Sequence, residues 1–206
     1  MMQDIAILTG DIVNSREDES ARWIEVVKPF FRSLGESPED WEIYRGDEFQ
    51  VRVGRKSALT VAIQIKALVK QQKNLDVRLA IGLGEESIRH PKIGESNGTA
   101  YQRSGKTFET LKEQPYRMRL ASGEAAYDQT LNLMLALALD FMDQWSPVSA
   151  ETMALVLSHP QASQEALAKR LGVRQSAVSQ RLKRARYDLV RELQEYYAQT
   201  CKIPVS

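Results

Sequence analysis

The sequence has little of what soft-metal sites, disulfides or membrane spans require. Its one cysteine, Cys201, permits no intrachain disulfide, and its only histidines, His90 and His159, lie far apart. One Cys and two distant His exclude a structural zinc site and a His-based metalloenzyme. No apolar run approaches the ~20 residues that a helix needs to cross a bilayer. The best candidate, Leu133 to Leu139, is short and is followed by Asp140. The start, Met1-Met2-Gln3-Asp4, carries no basic region and no cleavable apolar segment. The expectation is a protein that is not exported, works in the reducing cytoplasm and has no membrane partner. No internal repeat and no low-complexity segment is found.

What is present is the composition of a globular chain. The 206 residues are 43% hydrophobic and 27% charged, which suits one large domain or two small ones. A net charge of +1 hides an asymmetry. Residues 161–206 hold nine Lys/Arg against four Asp/Glu, whereas residues 1–160 hold 19 against 23. A basic tail on an acidic body suggests that the tail meets a polyanion. A solvated helix face is the other reading, and charge alone does not decide between them.

Periodicity divides the chain in two. Asp4 to Gly10 is an apolar run that reads as a buried strand ending at Gly10-Asp11. A helix follows, capped by Asp18 or Ser20, with Trp23, Ile24, Val27, Phe30, Phe31 and Leu34 at helical spacing and Pro29 inside it. Trp41 to Arg45 and Phe49 to Val53 alternate around Gly46-Asp47-Glu48, a hairpin pattern. Then come a helix over 57–73, a strand over 76–82, a helix over 99–112 and a short run over 116–120. The order β-α-β-β-α-β-α-β predicts an α+β sandwich of ferredoxin-like or palm type over residues 1–122. From residue 123 to 206 only helical patterns remain: an apolar helix around 131–142, then 148–158 opened by Pro147, 163–171 and 174–199.

Residues 164–185 carry the clearest local pattern. Ala168 stands four residues before Gly172 and Val178 six after it. In a helix-turn-helix the small residue lets two helices cross closely, the Gly takes the left-handed conformation, and the apolar residue anchors the second helix. Ser163 caps the first helix, and Ser176 sits in the first turn of the second. Residues 174–186 hold five basic side chains and no acidic one. Arg174, Gln175, Ser176, Ser179, Gln180, Arg181 and Arg184 are the residue types that reach base edges and phosphates from a helix in the major groove. This stretch resembles the helix-turn-helix of LuxR-type regulators and sigma-factor region 4, which implies double-stranded DNA as partner. A helical hairpin packing on a protein is the competing reading. Leu189, Val190, Leu193 and Tyr197 on the last helix suit a homodimer seam or packing within the chain.

Two carboxylates stand out in the first part. Asp11 closes the first strand and Asp47 lies in the hairpin turn, so neighbouring strand ends bring both close. Such a pair repels and raises one pKa unless a cation intervenes, and hard oxygen ligands suit Mg²⁺ or Mn²⁺. Asn14, Ser15 and the amides after Asp11 suit phosphates; Arg16 is a further candidate for a phosphate, with a solvated loop arginine as the other reading. The other reading makes Asp11 and Asp47 ordinary turn residues. Arg103-Ser-Gly-Lys-Thr107 is no P-loop, because the required glycine position is Ala100.

Asp11-Ile-Val-Asn-Ser15 with Tyr44-Arg-Gly-Asp-Glu-Phe49 resembles the two metal-binding segments of class III nucleotidyl cyclases. Asp76 to Gly82 is similar to the strand that follows there, and Gly98 to Lys106 to their substrate-contacting helix. The resemblance implies that Asp11 and Asp47 hold metal and that Gln102 and Lys106, at i,i+4, contact nucleotide in place of that family's Asn and Arg. Lys lacks the forked geometry of Arg. The set Gly-Asp-Ile, Arg-Gly-Asp-Glu-Phe-Gln, Ile-Gly-Leu-Gly and Ser-Asn-Gly-Thr-Ala-Tyr resembles, over most of the chain, the SatD family of bacterial proteins. The expectation is a DNA-binding regulator whose cyclase-like part binds a nucleotide, a divalent metal or both. The alternatives are a metal-dependent nucleotidyl cyclase or transferase with a regulatory DNA-binding part, and an inactive palm serving as dimerisation scaffold.

Overall fold

The computed structural model describes residues 3–15, 22–44 and 46–201. Arg16, the caps expected at Asp18 or Ser20, and Arg45 lie outside the described residues. The element order is β1 (Gln3–Val13), α1 (Arg22–Leu34), β2 (Trp41–Ile43), β3 (Glu48–Gly54), α2 (Ala58–Val69), β4 (Asp76–Glu86), α3 (Thr99–Lys112), β5 (Met118–Ala121), α4 (Ala125–Met142), α5 (Pro147–Ser158), α6 (Gln164–Leu171), α7 (Gln175–Arg184) and α8 (Tyr187–Thr200). The molecule is of mixed α+β class. Its sheet runs β2-β3-β1-β4-β5, with the first four strands antiparallel to their neighbours and β5 parallel to β4.

Alternation along β1 sorts the two faces of the sheet. Ala6, Leu8 and Ile12 enter one large core with Trp23, Val27 and Phe31 of α1 and the apolar face of α2. Ile5 and Ile7 point the other way and meet Ala100 and Tyr101 of α3. Phe31 anchors α1 through tilted ring contacts with Trp41 and Phe49, centroids 5.7 and 5.3 Å away. On the α3 face, Arg52 makes two 2.9 Å hydrogen bonds to Glu86, and the Tyr101 hydroxyl donates to the same carboxylate at 2.7 Å. Burial pushes the Glu86 carboxyl up, but the bonds from Arg52 and Tyr101 outweigh it and hold it below the usual range.

The boundary expected at 122/123 falls in the turn between β5 and α4, and the core crosses it. Leu131, Leu135, Met153, Val190 and Tyr197 belong to the same buried cluster as Leu8 and Ile65. Asn132 of α4 takes both backbone groups of Leu120 on edge strand β5, at 2.8 Å each. That occupies polar groups an edge strand otherwise offers to other chains.

Two expectations are corrected. Strand β1 runs on to Val13, so Asp11 sits within it, opposite Glu48 on β3 and Arg78 on β4. The single helix expected over 174–199 is two, because Arg186 adopts φ 58°, ψ 40°. The Trp145 indole N–H donates to the Ala185 carbonyl at 3.0 Å, satisfying an acceptor that the end of α7 releases. The chain then turns, so that Val190, Leu193 and Tyr197 face the core.

Candidate functional site

Antiparallel register places Asp11, Glu48 and Arg78 side by side on three adjacent strands. The β2–β3 turn docks on the end of β1: the Ile12 N–H donates to the Asp47 carbonyl at 3.2 Å, and the Ser15 hydroxyl donates to the Asp47 carboxylate. The two carboxylates that the sequence pairs therefore sit in one electrostatic neighbourhood. Burial raises the Asp11 pKa most; Arg78 opposes it, Asp47 and Glu48 raise it further, and Lys112 lowers it. The Arg78 guanidinium approaches Asp11 Oδ2 only to 3.4 Å. Asp11 Oδ1 and Arg78 Nε are both buried without a hydrogen-bond partner. Glu48 is taken by Lys112 of α3 at 3.1 Å.

These donors can be tested for fit to a divalent cation. An orphaned buried carboxylate oxygen beside a second carboxylate is a hard-oxygen half-site of the kind Mg²⁺ takes, with water completing the sphere. Among the described residues no cluster of three or more His, Cys, Asp or Glu side chains is suited to a metal. Among the described residues the carboxylates free to meet a cation here are Asp11 and Asp47, because the adjacent Glu48 is paired with Lys112.

The other sequence-derived positions lie as follows. Ser15 joins Asp47, as above. Asn14, at φ 65°, donates from its amide to the Asn74 carbonyl at 3.1 Å, tying the end of β1 to the turn before β4. On α3 the buried face is Ala100, Tyr101, Ser104, Phe108 and Leu111. Gln102 and Lys106 share the exposed side; Gln102 lies 3.5 Å from the Asn97 side chain. The cation of α3 whose charge acts on Asp11 is Lys112. Sequence reasoning missed Arg78, Glu48 and Lys112. Glu48 was legible as the neighbour of Asp47, but Arg78 and Lys112 come near only through strand register and helix docking.

The second candidate site lies on α7. Helix α6 is capped by the Ser163 hydroxyl, which accepts from the Ala166 N–H, and ends at Gly172 with φ 64°, ψ 30°. Ala168 and Val178 are buried where the two helices meet, as their spacing predicts. Arg174, Gln175, Ser176, Ser179, Gln180 and Arg184 are exposed around the buried stripe of Val178 and Leu182. Two of these side-chain assignments need refinement. Gln175 bonds Gln164 at 2.6 Å, and Arg181 turns toward α5, 3.6 Å from Glu151. Of Leu189, Val190, Leu193 and Tyr197, which suit a dimer seam or packing within the chain, the last three are buried and Leu189 is exposed. No helix among the described residues is long and apolar enough to cross a membrane. Compared with models of known protein families and with curated proteins, the chain matches none.

Proposed function

We propose that this protein is a DNA-binding transcriptional regulator whose sheet-bearing part binds a nucleotide together with Mg²⁺ or Mn²⁺. The observation that carries the reading is the outward face of α7. Arg174, Ser176, Ser179, Gln180 and Arg184 are exposed on it, and no acidic residue falls between 174 and 186. A helix of this composition, set after a left-handed glycine turn, suits the major groove, with Ser and Gln toward base edges and Arg toward phosphates. The strand order β2-β3-β1-β4, antiparallel throughout and connected through α1 and α2, supports the reading as a ferredoxin-like sandwich. It supports the palm reading and, with the motifs, membership of the SatD family.

Duplex binding should weaken steeply with salt, because each neutralised phosphate releases counterions. Arg174→Ala with Arg184→Ala should lower both the affinity and the slope of log K against log salt; Arg181 is left intact to preserve its contact with Glu151. Fluorescence anisotropy on a random duplex pool reads both. An unchanged slope in the double variant overturns the assignment of α7.

The orphaned Asp11 Oδ1 favours a second reading, a metal-dependent nucleotidyl cyclase or transferase. A metal there would lower the pKa of Asp11 and polarise an α-phosphate. Pyrophosphate release from nucleoside triphosphates with Mn²⁺, lost in Asp47→Ala, is its signature; no release from any of the four leaves the regulator.

A homodimer is part of the proposal. Leu137 and Leu189, 67% and 49% exposed, line an apolar groove of about 490 Å³ between α4 and α8 with Met134, Phe141 and Tyr196, and Leu133 on α4 is 63% exposed. A protruding leucine next to a groove is self-complementary under a two-fold axis, and two copies of α7 on one duplex require such an axis. Leu137→Glu should convert a dimer to a monomer in light scattering; a wild-type protein that is monomeric at about 100 µM, roughly a hundred times a micromolar dimer constant, removes it.

A further inference from the structure

A cleft of about 360 Å³ opens where the end of the sheet meets the α4–α5 connection. Its lining includes Asn14, Lys70, Lys73, Arg117, Trp145 and Pro147. The local carboxylates are already engaged. Lys66, fully buried, lies 2.7 Å from Asp76 and 2.6 Å from Asp143. Lys70 donates to the Asp143 carbonyl at 2.6 Å and stands 3.5 Å from Asp76. Arg117 is half-buried and Lys73 exposed, and neither side chain has an ion pair or hydrogen bond among the described residues. Arg117 and Lys73 therefore face the cleft without a counter-charge, while Lys70 shares the cleft's single carboxylate, Asp76, with Lys66. Holding an unpaired guanidinium partly out of water costs free energy, and gathering like charges adds to the cost. The N-terminal end of the twelve-residue helix α5, at Pro147, adds a positive dipole to the same space.

We propose that this junction cleft is a binding site for a small phosphorylated anion of pyrophosphate class, held by Arg117, Lys70 and Lys73. Planar guanidinium with flanking ammonium groups is the donor set that phosphate oxygens use best. The volume admits a diphosphate with its water, at ~30 Å³ per water. Its lining includes Asn14 but neither Asp11 nor Asp47, and the proposed binding needs no metal. One wall comes from β1 and the turn after α2, the other from Trp145 and Pro147, so the anion bridges the sheet and the helices.

Isothermal titration of the full chain with pyrophosphate, in EDTA and low salt, tests the proposal apart from the metal and DNA readings. Binding is expected, weakened at least tenfold in Arg117→Gln and severalfold in Lys73→Ala, while Lys28→Ala, an exposed cation on α1, leaves it unchanged. Far-UV circular dichroism checks that Arg117→Gln folds; Lys73→Ala, at an exposed position, serves if it does not. Parallel titrations with inorganic phosphate and a nucleoside diphosphate separate a bare anion from a nucleotide, and tighter binding of either diphosphate supports the site. Absence of heat for all three anions at millimolar concentration, or binding that survives Arg117→Gln with Lys73→Ala unaltered, overturns it. Failure of DNA binding leaves it standing.

Discussion

Asp11 is a carboxylate kept where its charge is disfavoured. Burial outweighs Arg78, and Asp47 and Glu48 add to the penalty, so its pKa in the fold lies above the ordinary value. A carboxyl raised in this way favours folding while protonated and gives up that contribution as pH rises through its folded pKa. Asp11→Asn should therefore stabilise the metal-free protein near neutral pH, by on the order of 1 kcal/mol. The same substitution should abolish any stabilisation by Mg²⁺ or Mn²⁺. Thermal melts at pH 5 and 7.5, with and without metal, check both; a variant that melts lower at pH 7.5 contradicts the burial argument. The phenol of Tyr44 shows the same physics: burial pushes it up to about 12, with Glu42 adding to the effect, so it remains a neutral donor to Gln50 at 2.9 Å.

At the scale of elements, the position of α3 depends on a missing side chain. A Cβ at Gly82 would run into the Ala100 carbonyl and the Ser104 backbone N. The close approach lets the Ser104 hydroxyl donate to Thr9 Oγ1 at 2.7 Å. Both obstacles are backbone or near it and cannot swing aside, so Gly82→Ala should destabilise by roughly 1–3 kcal/mol, the usual range for overpacking. It should also displace Lys112 from Glu48. Urea denaturation reads the loss of stability, and an unchanged midpoint refutes the close packing. The junction of α7 and α8 is the other sensitive element. Its direction depends on Arg186 in a left-handed conformation and on the indole of Trp145.

Across the whole molecule, the sheet and the helices share one buried core, and Lys66 is its ionic rivet. It joins α2 to β4 through Asp76 and to the end of α4 through Asp143. Removing one member of a buried ion-pair network leaves the others uncompensated, at roughly 3–5 kcal/mol. Asp143 is 36% exposed and can turn to water, so Lys66→Met should cost about 3 kcal/mol, near the lower end of that range. Adding Asp76→Asn should recover part of the loss. Both are measurable by denaturant midpoint, and a neutral Lys66→Met would mean that the two parts hold together by apolar packing alone.

Much of this was legible in local pattern. Alternation and helical spacing predict all five strands and their order with the helices, because each face of each element is written in its own residues. The same holds for Gly172, Ser163 and Val178: a turn, a cap and an anchor depend on neighbours a few positions away. The break at Arg186 was not legible, since it answers to the bond between Ala185 and Trp145, forty residues earlier. Nor was the company kept by Asp11, since Arg78 and Lys112 reach it only once register and helix docking are set. The sequence alone determined the elements and which residues were available for chemistry. Tertiary structure alone decided which charges meet, because electrostatic and packing forces act through space between segments whose separation along the chain carries no information about their distance.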